Sequence, residues 1–483
     1  MNWSLLLPGY LVTGLAFGAF TLDLIVPRLS RAFLVYAGAA ALAVVAAVIL
    51  VTQDGAVHRF AGGILIFDSY SYFFFALFVV LAAVTILGSS RFVTSIDSPG
   101  EFVALLMMSA VGAMGMAAAG ELITAYISLE LLSFSLYILA SYTWRERRTN
   151  EAGTKYILLG ALASAFLLLG ITYIYGLTGD TRYDRVAQGL AAAETSPGLI
   201  IALAMLTAGL GFKVAAVPFH MWTPDVYEGA PIPITAYLAA ASKAAGFALL
   251  IRLVAVALEP VVLFWDWIFI LLAVLSMMLG NLVAILQSNL KRLMAYSSIG
   301  QVGYLLLGIA ALGAADPAKP AAGMLIHIVS YAASTMVAFM VLLAVQQQTG
   351  REGVRDMAGL ARRNPYLAMA LTAALFSLAG FPFFIGFASK FYLFTVVATA
   401  GARFLVPVGL AIFASLISLY YYLNIVRQMY IEPPQDNAPP LRVPRTMWLL
   451  IAGLLGVIVI GGVYVRPLAE AAETAAAAIF TGA

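Results

Sequence analysis

Residues 210–250 read LGFKVAAVPFHMWTPDVYEGAPIPITAYLAAASKAAGFALL. A polar turn, His220 to Gly229, separates two apolar runs, each part of a stretch long enough to cross a bilayer, and each run carries a lysine, Lys213 or Lys243. A lysine at the centre of a membrane helix costs roughly 2.5–3.5 kcal/mol on insertion scales, so an intramembrane ionisable residue is a functional site by default. Two of them in succession, on either side of a turn, set the question for the rest of the chain.

The 483 residues are 63% hydrophobic and only 10% charged, against about 25% charged in soluble domains. Apolar runs of membrane-spanning length recur throughout, so helices and not a barrel cross the bilayer. The net charge of +3 makes no case for nucleic acid. Cysteine is absent, which excludes disulfides and cysteine-held iron–sulfur clusters. His58, His220 and His327 are too scattered for a metal site. No glycine-rich turn leads into Gly-Lys-Ser/Thr, and no Gly-x-Gly-x-x-Gly opens a helix. No cofactor is therefore expected in this chain, and no means of using a nucleotide or carrying electrons is visible.

The pattern predicts an all-α polytopic membrane protein of about fourteen spans: 3–26, 32–51, 68–89, 102–119, 121–142, 153–177, 198–221, 231–256, 261–285, 292–314, 321–346, 365–396, 402–428 and 446–466. The first span has no basic residues before it, Arg28 and Arg31 coming after, which reads as a retained helix and not a cleaved signal. Most of the 26 basic residues follow odd-numbered spans, among them Arg145, Arg147, Arg148, Arg362 and Arg363. Fewer follow even-numbered spans, with Arg59, Arg182, Arg252 and Arg403 among them. The positive-inside rule then puts the odd loops in the cytoplasm and both termini outside, and the membrane is expected to be a bacterial inner (plasma) membrane. The seventh and twelfth spans both carry a Gly/Pro interruption near a lysine and lie five spans apart, so they run in opposite directions. Inverted repeats with broken helices are a transporter signature. Two inverted five-helix repeats are expected at 102–256 and 261–428, after N-terminal helices in 1–101 and before a last helix and tail in 446–483.

Glu130, Lys213, Lys243 and Lys390 lie deep in spans, and together would cost on the order of 10–14 kcal/mol without compensation. They must pair, sit in water or lose charge. A lysine that alternates between charged and neutral forms can carry a proton; structural ion pairs are the plainer alternative. His327 is mid-membrane and suits a relay, or a packed neutral histidine. Asp225 and Glu228 read as turn residues. Ser133, Ser298, Gln301, Tyr304 and Tyr331 offer polar groups between the charges, as water-chain residues or ordinary interhelical hydrogen bonds.

HMWTPDVYEGAPIPITAYLAAASKAAGF (220–247), YISLELLSFSLYILASY around Glu130, NLKRLMAYSSIGQVGY at 289–304 and SLAGFPFFIGFASKFYLF around Lys390 resemble, in order and spacing, the subunit N family among the antiporter-like membrane subunits of proton-pumping NADH–quinone oxidoreductase, respiratory complex I. The likeness runs over essentially all the spans. It implies a Glu130–Lys213 ion pair, Lys243 as central proton carrier and Lys390 as carrier at the exit. It also implies two kinds of partner: subunits that hold flavin, iron–sulfur clusters and quinone, and paralogous antiporter-like membrane subunits. The family's twelfth span usually reads Gly-Ile-Pro-Pro; Phe383 stands at the second proline, which predicts a gentler break. Two other functions fit the same residues: a subunit of a multisubunit cation/proton antiporter, and a structural membrane subunit.

Overall fold

A computed structural model describes residues 2–26, 30–192, 196–434 and 440–481; Arg28 lies outside them. The helices in chain order are α1 (Leu7–Ile25), α2 (Arg31–Thr52), α3 (Ser69–Gly88), α4 (Pro99–Ala118), α5 (Leu122–Ala140), α6 (Arg147–Thr178) and α7 (Tyr183–Ala192). Then come α8 (Pro197–Val214), α9 (Trp222–Gly229), α10 (Ile232–Ala257), α11 (Val262–Ala284), α12 (Leu290–Ala310) and α13 (Ala318–Thr349). The last are α14 (Pro365–Ala379), α15 (Ile385–Thr399), α16 (Leu405–Tyr430), α17 (Arg445–Val463) and α18 (Arg466–Thr481). A β-hairpin, β1 (His58–Phe60) with β2 (Leu65–Phe67), covers one end of the bundle. That end is called here the hairpin face, and the opposite end, where the loops after odd-numbered spans gather, the basic face.

Thirteen helices among the described residues are long and apolar enough to cross a membrane. The remaining crossing is made by α14 and α15 in series. Each has 15 residues, about 22 Å at 1.5 Å per residue and too short alone for a ~30 Å hydrocarbon core. Between them Gly380 (φ 90°) ends α14 and Phe383 (φ 72°) turns the chain again. The break is therefore complete and not gentler. Phe383 holds a left-handed conformation that a proline, locked near −65°, cannot adopt. Gly386 is required where α15 restarts, because a Cβ there would run into the Ser377 carbonyl oxygen. The seventh crossing breaks likewise: Ala215 (φ 64°) ends α8, and the chain resumes as α9.

Helices α10, α12 and α13 form the interior, and α13 packs against α10, α12, α14, α15, α17 and α18. Their all-round apolar surfaces suit burial in protein. Helices α1, α2, α6 and α17 lie at the periphery and present residues such as Phe17, Val51, Leu158 and Ile460 outward, as lipid contact requires. Two segments expected as loop or tail are helical. The first, α7, buries Tyr183, Val186 and Leu190; the second, α18, buries Ala472, Ala475, Ala476 and Ile479 against α3 and α13. Both are apolar on one side only, so hydropathy alone does not mark them. Arg252 is not a loop residue: it lies within α10, 1% exposed, and donates two hydrogen bonds to Asp68 (2.9 and 2.7 Å). Asp68 is also the N-cap of α3, accepting from the Ser71 amide at 2.8 Å.

Candidate functional site: a line of buried lysines

The break after Val214 leaves Lys213 in the last turn of α8, where a cation meets the negative end of the helix dipole. Trp222, at the start of α9, donates its indole N–H to the Phe212 carbonyl oxygen at 3.0 Å, occupying an acceptor that the break frees. Lys213 is 5% exposed and donates to Ser133 Oγ of α5 at 2.9 Å. One helical turn earlier on α5, Glu130 accepts a short hydrogen bond from Ser164 of α6. Glu130 and Lys213 make no direct ion pair; each ends on a serine. Ser133, Ser164, Lys213 and Trp222 line one cavity of about 10 Å³, about one water's volume.

Lys243 follows a π-wound turn, Leu238–Ser242, and is 3% exposed. Such bulges re-aim side chains and collect at functional sites. Its ammonium donates to Ser298 Oγ of α12 at 2.7 Å and lies 5.9 Å from the centre of the Tyr227 ring of α9. Lys243, Ser298, Gln301 and Tyr331 border a second cavity of about 10 Å³. Gln301, one turn further along α12, donates to the Leu378 carbonyl oxygen at 3.1 Å.

That carbonyl also receives Lys390, whose ammonium folds back from α15 onto the broken end of α14. It donates to Leu378 O at 2.8 Å, Ala379 O at 3.2 Å and Ser415 Oγ of α16 at 2.8 Å. The ring of Tyr304 lies 4.8 Å away. His327 of α13 is 2% exposed, pairs through Nδ1 with Ser389 Oγ at 3.1 Å and packs edge-on to Tyr304. The structure thus joins Lys390, Gln301 and Lys243 through α12, and sets His327 beside the Lys390 end. His220 lies in the break after α8, apart from the lysines' hydrogen bonds.

Ser133, Ser298 and Gln301 stood in the sequence only among the polar groups between the charges, with none preferred, and Ser415 was not named at all. Hydroxyls and amides are common in membrane helices, and nothing in their spacing marks the ones that meet a lysine. The two turn carboxylates do more than turn. Lys155 and Arg292 both donate to Asp225 at 2.8 Å, while Arg148 at 2.8 Å and Arg292 at 3.0 Å hold Glu228. Burial disfavours the Asp225 carboxylate, but the hydrogen bonds from Lys155 and Arg292 outweigh it and hold this carboxyl below its ordinary range. Among the described residues no group of three or more His, Cys, Asp or Glu comes together to hold a metal.

Residues 119–418, which contain all five predicted site residues, match the family model described as NADH:quinone oxidoreductase/Mrp antiporter, TM. An NADH-quinone oxidoreductase subunit N of Moorella thermoacetica is 40% identical, with 99% of each chain covered. One from Heliobacterium modesticaldum is 43% identical over 86% of each. Among solved structures, a chain of respiratory complex I from Thermus thermophilus superposes with a TM-score of 0.82 at 32% identity, covering 97% of this chain and 99% of that one. A chain of the Mrp complex from a Dietzia species shares the fold, with a TM-score of 0.87 at 22% identity over 100% and 98%. On the family model and these full-length relatives, the chain belongs to the NADH:quinone oxidoreductase/Mrp antiporter family of polytopic membrane subunits.

Proposed function

We propose that this chain is a proton-translocating subunit of a redox-driven NADH–quinone oxidoreductase, moving protons along Glu130, Lys213, Lys243, His327 and Lys390. The observation that carries the reading is chemical. The ammoniums of Lys213, Lys243 and Lys390 are each buried, and each ends on a serine hydroxyl and on no carboxylate. A hydroxyl accepts a hydrogen bond from an ammonium and donates one to a neutral amine, so it serves both states of a lysine that gains and loses a proton. The ion pairs that merely fasten helices look different: Arg252 ends on Asp68, and Arg403 on Asp266 at 2.6 Å.

Moving one charge against 100 mV costs about 2.3 kcal/mol, and a partner must supply it. Flavin, iron–sulfur clusters and quinone then belong to other subunits, as the resemblance implies, and paralogous antiporter-like subunits lie alongside. The basic face lies in the cytoplasm of a bacterial plasma membrane, and both termini lie outside. Residues 102–256 and 261–428 act as two inverted repeats, protons being taken up on the cytoplasmic side and released near Lys390.

The test is Lys213 in the assembled complex. Replacement by alanine lowers NADH-driven quinone reduction and vesicle acidification together by roughly tenfold or more, since a positioned proton-transfer group is worth about 10²–10⁴ in rate. Arginine does not rescue, because it keeps its proton. Near-normal pumping in Lys213→Arg would sink the carrier role.

A further inference from the structure

A fourth buried lysine lies outside the line just described. Lys291, in the first turn of α12, has a side chain only 4% exposed and sits 3.2 Å from Glu352 Oε2 and 3.2 Å from the Ala230 carbonyl oxygen. It borders a cavity of about 770 Å³ that opens on the basic face. Asp97, Glu101, Glu146 and Glu228 stand along its walls, and Lys291 and Glu352 form part of its lining. A space of that size holds many waters, whereas the cavities beside Lys213 and Lys243 hold about one each.

The Lys291–Glu352 pair is not needed to fasten the loop that carries Glu352. Backbone hydrogen bonds already do so, Leu290 N to Glu352 O at 2.9 Å and Val354 N to Ser288 O at 2.8 Å. Helix geometry gives the pair another use. Lys291 and Ser298 are seven residues apart on α12, which places them within about 20° on one face and about 10.5 Å apart along the axis. Ser298 is the hydroxyl on which Lys243 ends. The same end of the cavity is walled by Glu228 and Gly229, neighbours of Tyr227, whose ring faces Lys243. One helix face therefore leads from this large, many-water cavity to the central lysine.

We propose that this cavity is the vestibule through which the chain takes up protons, and that Lys291 is the first carrier, with Glu352 as its countercharge; the inference rests on the proton-translocating reading above. The Lys291 ammonium passes a proton through intervening water towards Ser298 and a neutral Lys243 amine. The Lys291 amine left behind takes a proton from vestibule water, and the hydroxide is neutralised from the bulk. Glu352 stays ionised throughout, so charge balances at each step.

The experiment uses the assembled complex in inverted vesicles, basic face outward, with NADH-driven quinone reduction and acidification as readouts. Lys291→Met and Lys291→Arg should each lower both roughly tenfold or more. Arginine keeps the pair with Glu352, so a fastening role would be rescued by it and a carrier role would not. In parallel, Ser95→Cys on the exposed rim of the vestibule is compared before and after reaction with a bulky, charged maleimide. The label should cut pumping several-fold relative to the unlabelled variant, and a methylating reagent should not. Normal rates in Lys291→Arg overturn the carrier. An unaffected labelled Ser95→Cys overturns the vestibule as the route, and decides alone if Lys291→Arg fails to assemble. Lys243→Ala separates this from the underlying reading: if it is inactive while Lys291→Arg and labelled Ser95→Cys are normal, only the vestibule falls. If Lys243→Ala pumps normally, the translocation reading itself falls.

Discussion

A serine is an unusual place for a buried ammonium to end. Removing a single charge from water without a counterion costs several kcal/mol, and a hydroxyl offsets only part of that. The residues that hold the lysines are therefore as informative as the lysines. Ser298→Ala leaves Lys243 without its hydroxyl and should slow pumping and quinone reduction several-fold together, with Ser298→Thr restoring both. A complex that runs at the normal rate with alanine there would show that Lys243 needs no partner to cycle. The lysines were legible in the sequence because each defies an otherwise apolar run. The serines were not, since a hydroxyl in a membrane helix costs little and appears everywhere. Arg252 was misjudged for a related reason. It sits in the last turns of α10, close to where hydropathy ends the span, and the Asp68 that justifies its burial lies 184 residues away.

Among the elements, α9 connects the two lysines of the first half. Its first residue, Trp222, stacks on Tyr156 with ring centres 4.7 Å apart and borders the Lys213 cavity; its sixth, Tyr227, faces Lys243. The opposite side is clamped by Lys155, Arg148 and Arg292 through Asp225 and Glu228. Sequence reading took these two carboxylates as turn residues because their partners come from α6 and α12, beyond any local pattern. Asp225 is held below its ordinary value of 3.8. An acid of lowered folded pKa contributes stability above its unfolded value and loses it as pH falls through the folded one. The clamp is thus constant across the physiological range. The melting temperature of the complex should fall with Asp225→Asn by an amount that does not change between pH 5 and 8, narrowing only below about pH 4. The carboxylate is about a third exposed, so the decrement is modest. A decrement that varies across pH 5–8 would mean that another group controls α9. The breaks themselves were foreseen from Gly and Pro near the lysines, but their shape was not: the left-handed turn at Phe383 follows from the chain's path and not from its own preference.

Across the whole molecule, the question is how a proton passes from the half that holds Lys243 to the half that holds Lys390. Order along the chain favours His327, which lies in an intervening helix and can both donate and accept. The geometry favours α12. Gln301 borders the Lys243 cavity on one side and on the other donates to Leu378 O, the carbonyl that also receives Lys390. His327 reaches Ser389 and packs on Tyr304, so it touches the surroundings of Lys390 but none of the groups around Lys243 by hydrogen bond. An amide carries no net proton, yet it can orient water between the two lysines, and its oxygen is buried with no hydrogen-bond partner among the described residues. The two routes separate under mutation. If transfer runs by α12, Gln301→Leu, which keeps the volume and removes both polar ends, lowers pumping and quinone reduction together by roughly tenfold. His327→Ala then slows them less, through the loosened packing of Tyr304 beside Lys390. If His327 is the obligatory relay, the order reverses and His327→Gln, which hydrogen-bonds but does not titrate, fails as badly as alanine. Measuring all three in the same vesicles decides it: a Gln301→Leu complex that pumps at the full rate would remove α12 from the route and leave His327 as the bridge between the halves.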